Sequence, residues 1–117
     1  MSQRISRLEE LIKEEVSKIL KTLKDPELQG LITLTGVKLT KDLKAATLFY
    51  SVLGTLEDRE HSSRALIRSQ NHIRSLLWER LHIKYIPTIA FEYDSTPEKA
   101  ARVERILNQI HKEKESS

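Results

Sequence analysis

The apolar residues of this 117-residue chain change their spacing along its length, and that change constrains the fold more than any single motif does. From 5 to 23, Ile5, Leu8, Ile12, Val16, Ile19, Leu20 and Leu23 recur three or four apart with Lys and Glu between them, which predicts one apolar stripe on a helix of about five turns. Lys24-Asp25-Pro26 ends it, because proline brings no amide and restricts the residue before it. Gly30 then opens a strand-like segment over 31–40. Its apolar phase runs through Ile32 and Leu34 and shifts to Val37 and Leu39, which predicts a β-bulge at Gly36. Lys41-Asp42-Leu43-Lys44 reads as a hairpin turn into a second strand, Ala45 to Leu53, with Ala46, Leu48, Tyr50 and Val52 on one face and Gly54 closing it. Residues 57–81 are helical in composition but broken in pattern, and Thr88 to Tyr93, after Pro87, gives a third strand. Asp94-Ser95-Thr96-Pro97-Glu98 is a helix start, with a capping hydroxyl, an early proline and an acid in the first turn. The helix it opens, 97–112, carries Ala100, Val103, Ile106, Leu107 and Ile110 on the side expected to turn inward, although the same stripe permits a helix that stands free of the core. The order is α-β-β-α-break-α-β-α, an α+β fold expected to carry its helices on one face of a three-stranded sheet.

Length and composition set outer limits. The chain is long enough for one core, and residues 1–112 are expected to form one domain with 113–117 as a frayed polar tail. With 38% apolar and 32% charged residues, no apolar run is long enough to span a membrane. The amphipathic start lacks the apolar core of a secretory signal, and the absence of cysteine fits a reducing compartment, so the expected location is cytoplasmic.

Charge is concentrated in one place. Residues 59–84 hold six Lys/Arg (Arg59, Arg64, Arg68, Arg74, Arg80, Lys84) against Glu60 and Glu79, a net +4. Residues 1–58 hold nine of each sign, and residues 85–117 net −1. A positive field on one element points to a polyanion, of which nucleic acid is the commonest. On a helical wheel Ala65, Leu66, Ile73, Leu76 and Leu77 share one sector, while Arg64, Arg68, Asn71 and Ser75 lie opposite with Arg74 at the flank. Arginine suits phosphate because its planar fork binds oxygens in pairs. A solvated face is the plain alternative, but such faces usually mix signs, as residues 7–24 do. Ser69-Gln70-Asn71-His72 interrupts the apolar stripe, so either a kink near Asn71 or a straight helix with a polar side would serve.

Other chemistries find little support. His61, His72, His82 and His111 have no metal-ligand spacing, and three glycines cannot build a phosphate-cradling loop. Glu57, Asp58 and Glu60 are explained by the dipole of the helix they begin. No enzyme, catalytic residue, metal, cofactor or small-molecule substrate is read.

The order α-β-β-α-kink-α-β with a basic helix pair is that of the type II KH arrangement of RNA-binding domains. The strings RISRLEELIKEEVSKIL, KDPEL, GLITLTGVKLTKDLKAATLFYSVLG, IRSLLWERL, LHIKYIPTIAFEYDST and EKAARVERIL resemble, in order and across residues 4–110, the bacterial ribosome-binding factor A family. That resemblance implies a non-catalytic factor that matures the small ribosomal subunit. Three positions depart from the family pattern. Ser69-Gln70-Asn71 stands where the family usually has an Ala-x-Gly kink, Trp78 where it has a small residue, and His82 and Lys84 where it has arginines. Trp78 lies near the arginine face, where it could stack on a base; packing against the first helix or a strand edge is the preferred expectation.

The expected partner is the small subunit and its ribosomal RNA, bound by a monomer. The expected contacts are Arg64, Arg68, Asn71, His72, Arg74, Arg80, His82 and Lys84, with Lys41 and Lys44 in the hairpin turn as secondary ones. The rivals are a KH-like module for another RNA and a protein-interaction domain whose basic helix docks on an acidic partner.

Overall fold

The computed structural model describes residues 2–28 and 31–115. The first helix, α1, spans Ser2–Thr22 and drives Ile12, Val16 and Ile19 out of solvent entirely, with Ile5, Leu8 and Leu20 packed at the margin. Each such burial is worth about 1.5–3 kcal/mol, which fixes which side of the helix faces the sheet. After it, the Asp25 carboxylate accepts the Glu27 amide at 2.9 Å and the Asp25 carbonyl accepts the Leu28 amide at 3.0 Å, closing a turn around Pro26.

The sheet has the order β1 (Leu31–Leu39), β2 (Ala45–Leu53), β3 (Thr88–Tyr93). The first pair is antiparallel, and its register steps from Leu34↔Tyr50 to Gly36↔Phe49, leaving Thr35 as the extra residue of the expected bulge. The turn between them places Leu43 at φ 61°, supported by hydrogen bonds from Thr40 Oγ1 (2.6 Å) and the Lys44 amide (3.1 Å) to Asp42 Oδ1. β3 lies parallel to β2 from Ala45↔Thr88 to Tyr50↔Tyr93. Ala46, Leu48, Tyr50 and Val52 are buried on one face, beneath α1 and the long helix α2 (Leu56–Leu81). The Tyr50 hydroxyl is 2.7 Å from Ser63 Oγ on α2, and its ring meets Phe91 and Tyr93 edge-on. Gly30, read as the start of β1, lies outside the described residues.

α2 starts on a capping box. Thr55 Oγ1 accepts the Asp58 amide and Asp58 Oδ2 accepts the Thr55 amide, both at 3.0 Å. Gly54 is required here, because a Cβ at that position would sit 2.5 Å from Asp58 Oδ2. The helix then runs unbroken to Leu81, which corrects the break expected at Ser69-Gln70-Asn71. None of these residues is glycine, and every one keeps a helical backbone; among the described residues, the non-glycine ones with positive φ are Leu43 and, at the end of α2, His82. Gln70 uses its polarity sideways, donating its amide to the Ile89 carbonyl of β3.

The last helix, α3, spans Thr96–Glu115, so residues 113–115 are helical, not frayed, while Ser116 and Ser117 lie outside the described residues. Of the two placements its stripe permits, the inward one is not adopted: Val103, Ile106, Leu107 and Ile110 are 45–60% exposed. The core face of the sheet is already filled by α1 and α2, and an amphipathic pattern says which side of a helix is apolar, not what covers it. α3 is anchored at its start. Asp94 accepts the Thr35 hydroxyl at 2.6 Å and the Thr96 amide at 2.9 Å, and the Tyr93 hydroxyl donates to Glu98.

Candidate nucleic-acid interface

The basic residues of α2 leave the helix in different directions. Arg68 reaches the turn after α1, with Nη2 3.0 Å from Asp25 Oδ2 and Nη1 3.0 Å from Glu27 Oε1. Arg64 Nη2 stands 3.7 Å and His61 Nδ1 3.2 Å from Glu27 Oε2. Further along, Arg80 Nη1 is 3.3 Å from Glu15 Oε2 on α1. The arginines of this acid-poor segment are therefore paired with acids from far earlier in the chain, and this corrects the picture of an uncompensated arginine face. All three arginines stay substantially exposed, and pairs of that kind bind weakly enough for a phosphate to compete. The Glu27 amide, and then Arg68, hold the Asp25 carboxyl below the usual carboxylate range, so it is present as an anion.

Arg74 does something else. Nε donates to the Pro87 carbonyl at 3.1 Å and Nη2 to the Ile86 carbonyl at 2.9 Å, so the guanidinium braces the connection between α2 and β3. Its position at the flank of the wheel is what lets it reach that connection. The same connection is held at its other end. The His82 amide caps the helix on the Trp78 carbonyl at 3.2 Å, and the Trp78 indole N–H donates to the Ile83 carbonyl at 3.0 Å. Asn71 and His72 are exposed on the outer face beside Arg68. His82 and Lys84 are exposed in the connection, and Lys41 and Lys44 are exposed in the β1–β2 turn.

Two groups of candidates result. Arg64, Arg68, Asn71 and His72 follow the outer ridge of α2, while Arg74, His82 and Lys84 gather where α2 ends. Lys44 joins the second group by lining, with Arg74, a 580 Å³ cavity floored by Leu43, Ile83 and Pro87. Arg80 turns toward α1, and Lys41 lines neither group.

Packing is the preferred expectation for Trp78; the residue is 55% exposed and is held by its indole N–H on the Ile83 carbonyl. Its place on the wheel, near Arg64 and Asn71, already pointed outward. A second aromatic went unnoticed in the sequence: Tyr85 is 78% exposed, with the Lys84 ammonium 5.5 Å from its ring centroid. The only signal for it was a tyrosine followed by Ile86-Pro87, in a stretch too short to bury its ring.

A three-stranded mixed sheet with α1 and α2 on one face, and basic groups along α2, makes this a small α+β protein of the type II KH-like class, with the helix pair drawn out as one helix. The family model described as "Ribosome-binding factor A" matches residues 4–107, and the chain belongs to that family. It is 39% identical over 115 residues to ribosome-binding factor A of Halothermothrix orenii, covering 97% of this chain and 93% of the relative. The crystal structure of ribosome-binding factor A from Thermus thermophilus is similar at a TM-score of 0.68 with 25% identity, over 76% of this chain and 93% of that one. Coordinates of the Thermus thermophilus factor fitted into a cryo-EM map of its 30S complex share the fold at a TM-score of 0.66 and 24% identity, over 78% and 96% of the two chains.

Proposed function

We propose that this chain binds the immature small ribosomal subunit through its ribosomal RNA and assists late maturation and end processing of that RNA, without catalysing either. The observation that carries the reading is the row of cationic and hydrogen-bonding side chains along the exposed ridge and end of α2, in a chain of a family named for ribosome binding. The protein acts as a monomer in the cytoplasm, without a cofactor or small-molecule substrate, and residues 1–112 are the working unit. Arg64 and Arg68 exchange Asp25 and Glu27 for phosphates; Asn71, His72 and His82 add hydrogen bonds; Lys84, with Lys44 and Lys41 behind it, carries the positive field toward the turn. Arg74 and Arg80 contribute charge while their geometry serves the fold.

The test is sedimentation of a lysate containing the tagged chain. Co-migration with free small subunits and not with assembled ribosomes is the expected result; absence from ribosomal fractions overturns it. Recovery with large subunits or messenger RNA alone assigns a different RNA.

A further inference from the structure

We propose that the groove between the end of α2 and the 82–87 connection takes one unstacked nucleobase of a single-stranded RNA, against the rings of Trp78 and Tyr85 and with its phosphate on Lys84. The inference rests on the RNA reading above and gives it a ligand group and a place. Trp78 and Tyr85 are the most exposed aromatic rings among the described residues, in a chain with six aromatic residues. Both line one 290 Å³ groove together with Arg74, Ser75, Lys84 and Ile86, and no acid stands among them. Side chains of this size stay in water at the expense of burial, so two of them flanking one cationic groove indicate a surface kept for a flat, anionic partner.

The groove is built before anything enters it. The indole N–H is committed to the Ile83 carbonyl, which fixes the Trp78 ring and leaves its π face, not a donor, to offer. Arg74 ties the Ile86 and Pro87 carbonyls to α2 and so holds Tyr85 in place from the other side. Binding then orders little that was free, which favours affinity. Stacking of this kind tolerates any base but requires it unpaired, because a base inside a duplex has no free face. The Lys84 ammonium beside the Tyr85 ring supplies the charge that a nucleotide needs and that an apolar peptide side chain does not.

Trp78 is the only tryptophan in the chain, so its emission reports the surroundings of this one ring. A short single-stranded oligoadenylate titrated into the full chain at low salt is expected to quench that emission saturably, whereas duplex RNA of equal length does not. Tyr85→Ala keeps the reporter and, being far exposed, the fold; it is expected to weaken single-strand binding roughly 5- to 150-fold. Lys84→Ala is expected to reduce the salt slope by about 0.7 with the saturating quench unchanged. Absence of quenching, equal quenching by duplex, unaltered affinity of Tyr85→Ala, or quenching by an acidic peptide in place of RNA overturns the proposal. A chain that sediments with small subunits yet shows no quench loses the groove and keeps the subunit; a chain that does neither loses both.

Discussion

Arg68 holds two carboxylates at 3.0 Å and still leaves half its side chain in water, so its ion pairs are exchangeable. Replacing Asp25 by Asn and Glu27 by Gln together frees Arg64 and Arg68, and the double variant is expected to bind RNA several-fold more tightly, with a steeper salt slope, as measured by titration at several salt concentrations. Asp25 also gives the fold an acid limit. Its folded carboxyl lies below its ordinary value, so the stability it contributes is complete above the ordinary carboxylate range and is lost as pH falls through the lowered value. Asp25→Asn is therefore expected to flatten the dependence of the urea midpoint on pH in the acid range, leaving the slope near neutrality unchanged. Ser62 is a different case. It is fully buried on α2 and its hydroxyl meets no partner among the described residues, so Ser62→Ala is expected to raise unfolding stability by about 1 kcal/mol, read from denaturant curves. None of these pairings was legible in the sequence. A wheel places Arg64 and Arg68 on one side of a helix, but Asp25 and Glu27 meet them only because α1 lies against α2.

Whole elements were more legible than their surroundings. β2 and β3 begin and end where Lys41–Lys44, Gly54 and Pro87 said they should, because turn residues act locally and need no knowledge of the fold. The bulge at Thr35–Gly36 was visible for the same reason, as a phase slip. What the phase slip could not reveal is its use: Thr35 reaches Asp94 and so positions the start of α3. Thr35→Val is expected to release that start, with faster hydrogen exchange at the Lys99 amide, which bonds to the Ser95 carbonyl at 3.0 Å, and little change in the sheet amides. The polar run at Ser69–His72 misled in the opposite direction. A helix tolerates an interruption of its apolar stripe when a neighbour accepts the polar group, as the Ile89 carbonyl does for Gln70. The stripe of α3 was legible as helical but its placement was not, since periodicity carries no information about a covering surface.

At the scale of the molecule, 64 Å long but only 17 Å across its thinnest axis, the core belongs to α1, α2 and the sheet. Removing residues 96–117 is accordingly expected to leave the thermal midpoint within a few degrees of the full chain, as followed by circular dichroism, because among the described residues no core residue comes from α3. The strand order has a further consequence for how the molecule comes into being. β1 and β2 are neighbours in sequence and pair through a short turn, but β3 pairs with β2 only after all of α2 has intervened. Until a growing chain has passed Tyr93, β2 presents an open, apolar edge with nothing to saturate its amides, and α2 lacks the β3 carbonyl that Gln70 requires. The last strand to be synthesised is thus also the one that closes the sheet, so the open edge of β2 disappears and Gln70 gains its acceptor in a single late event.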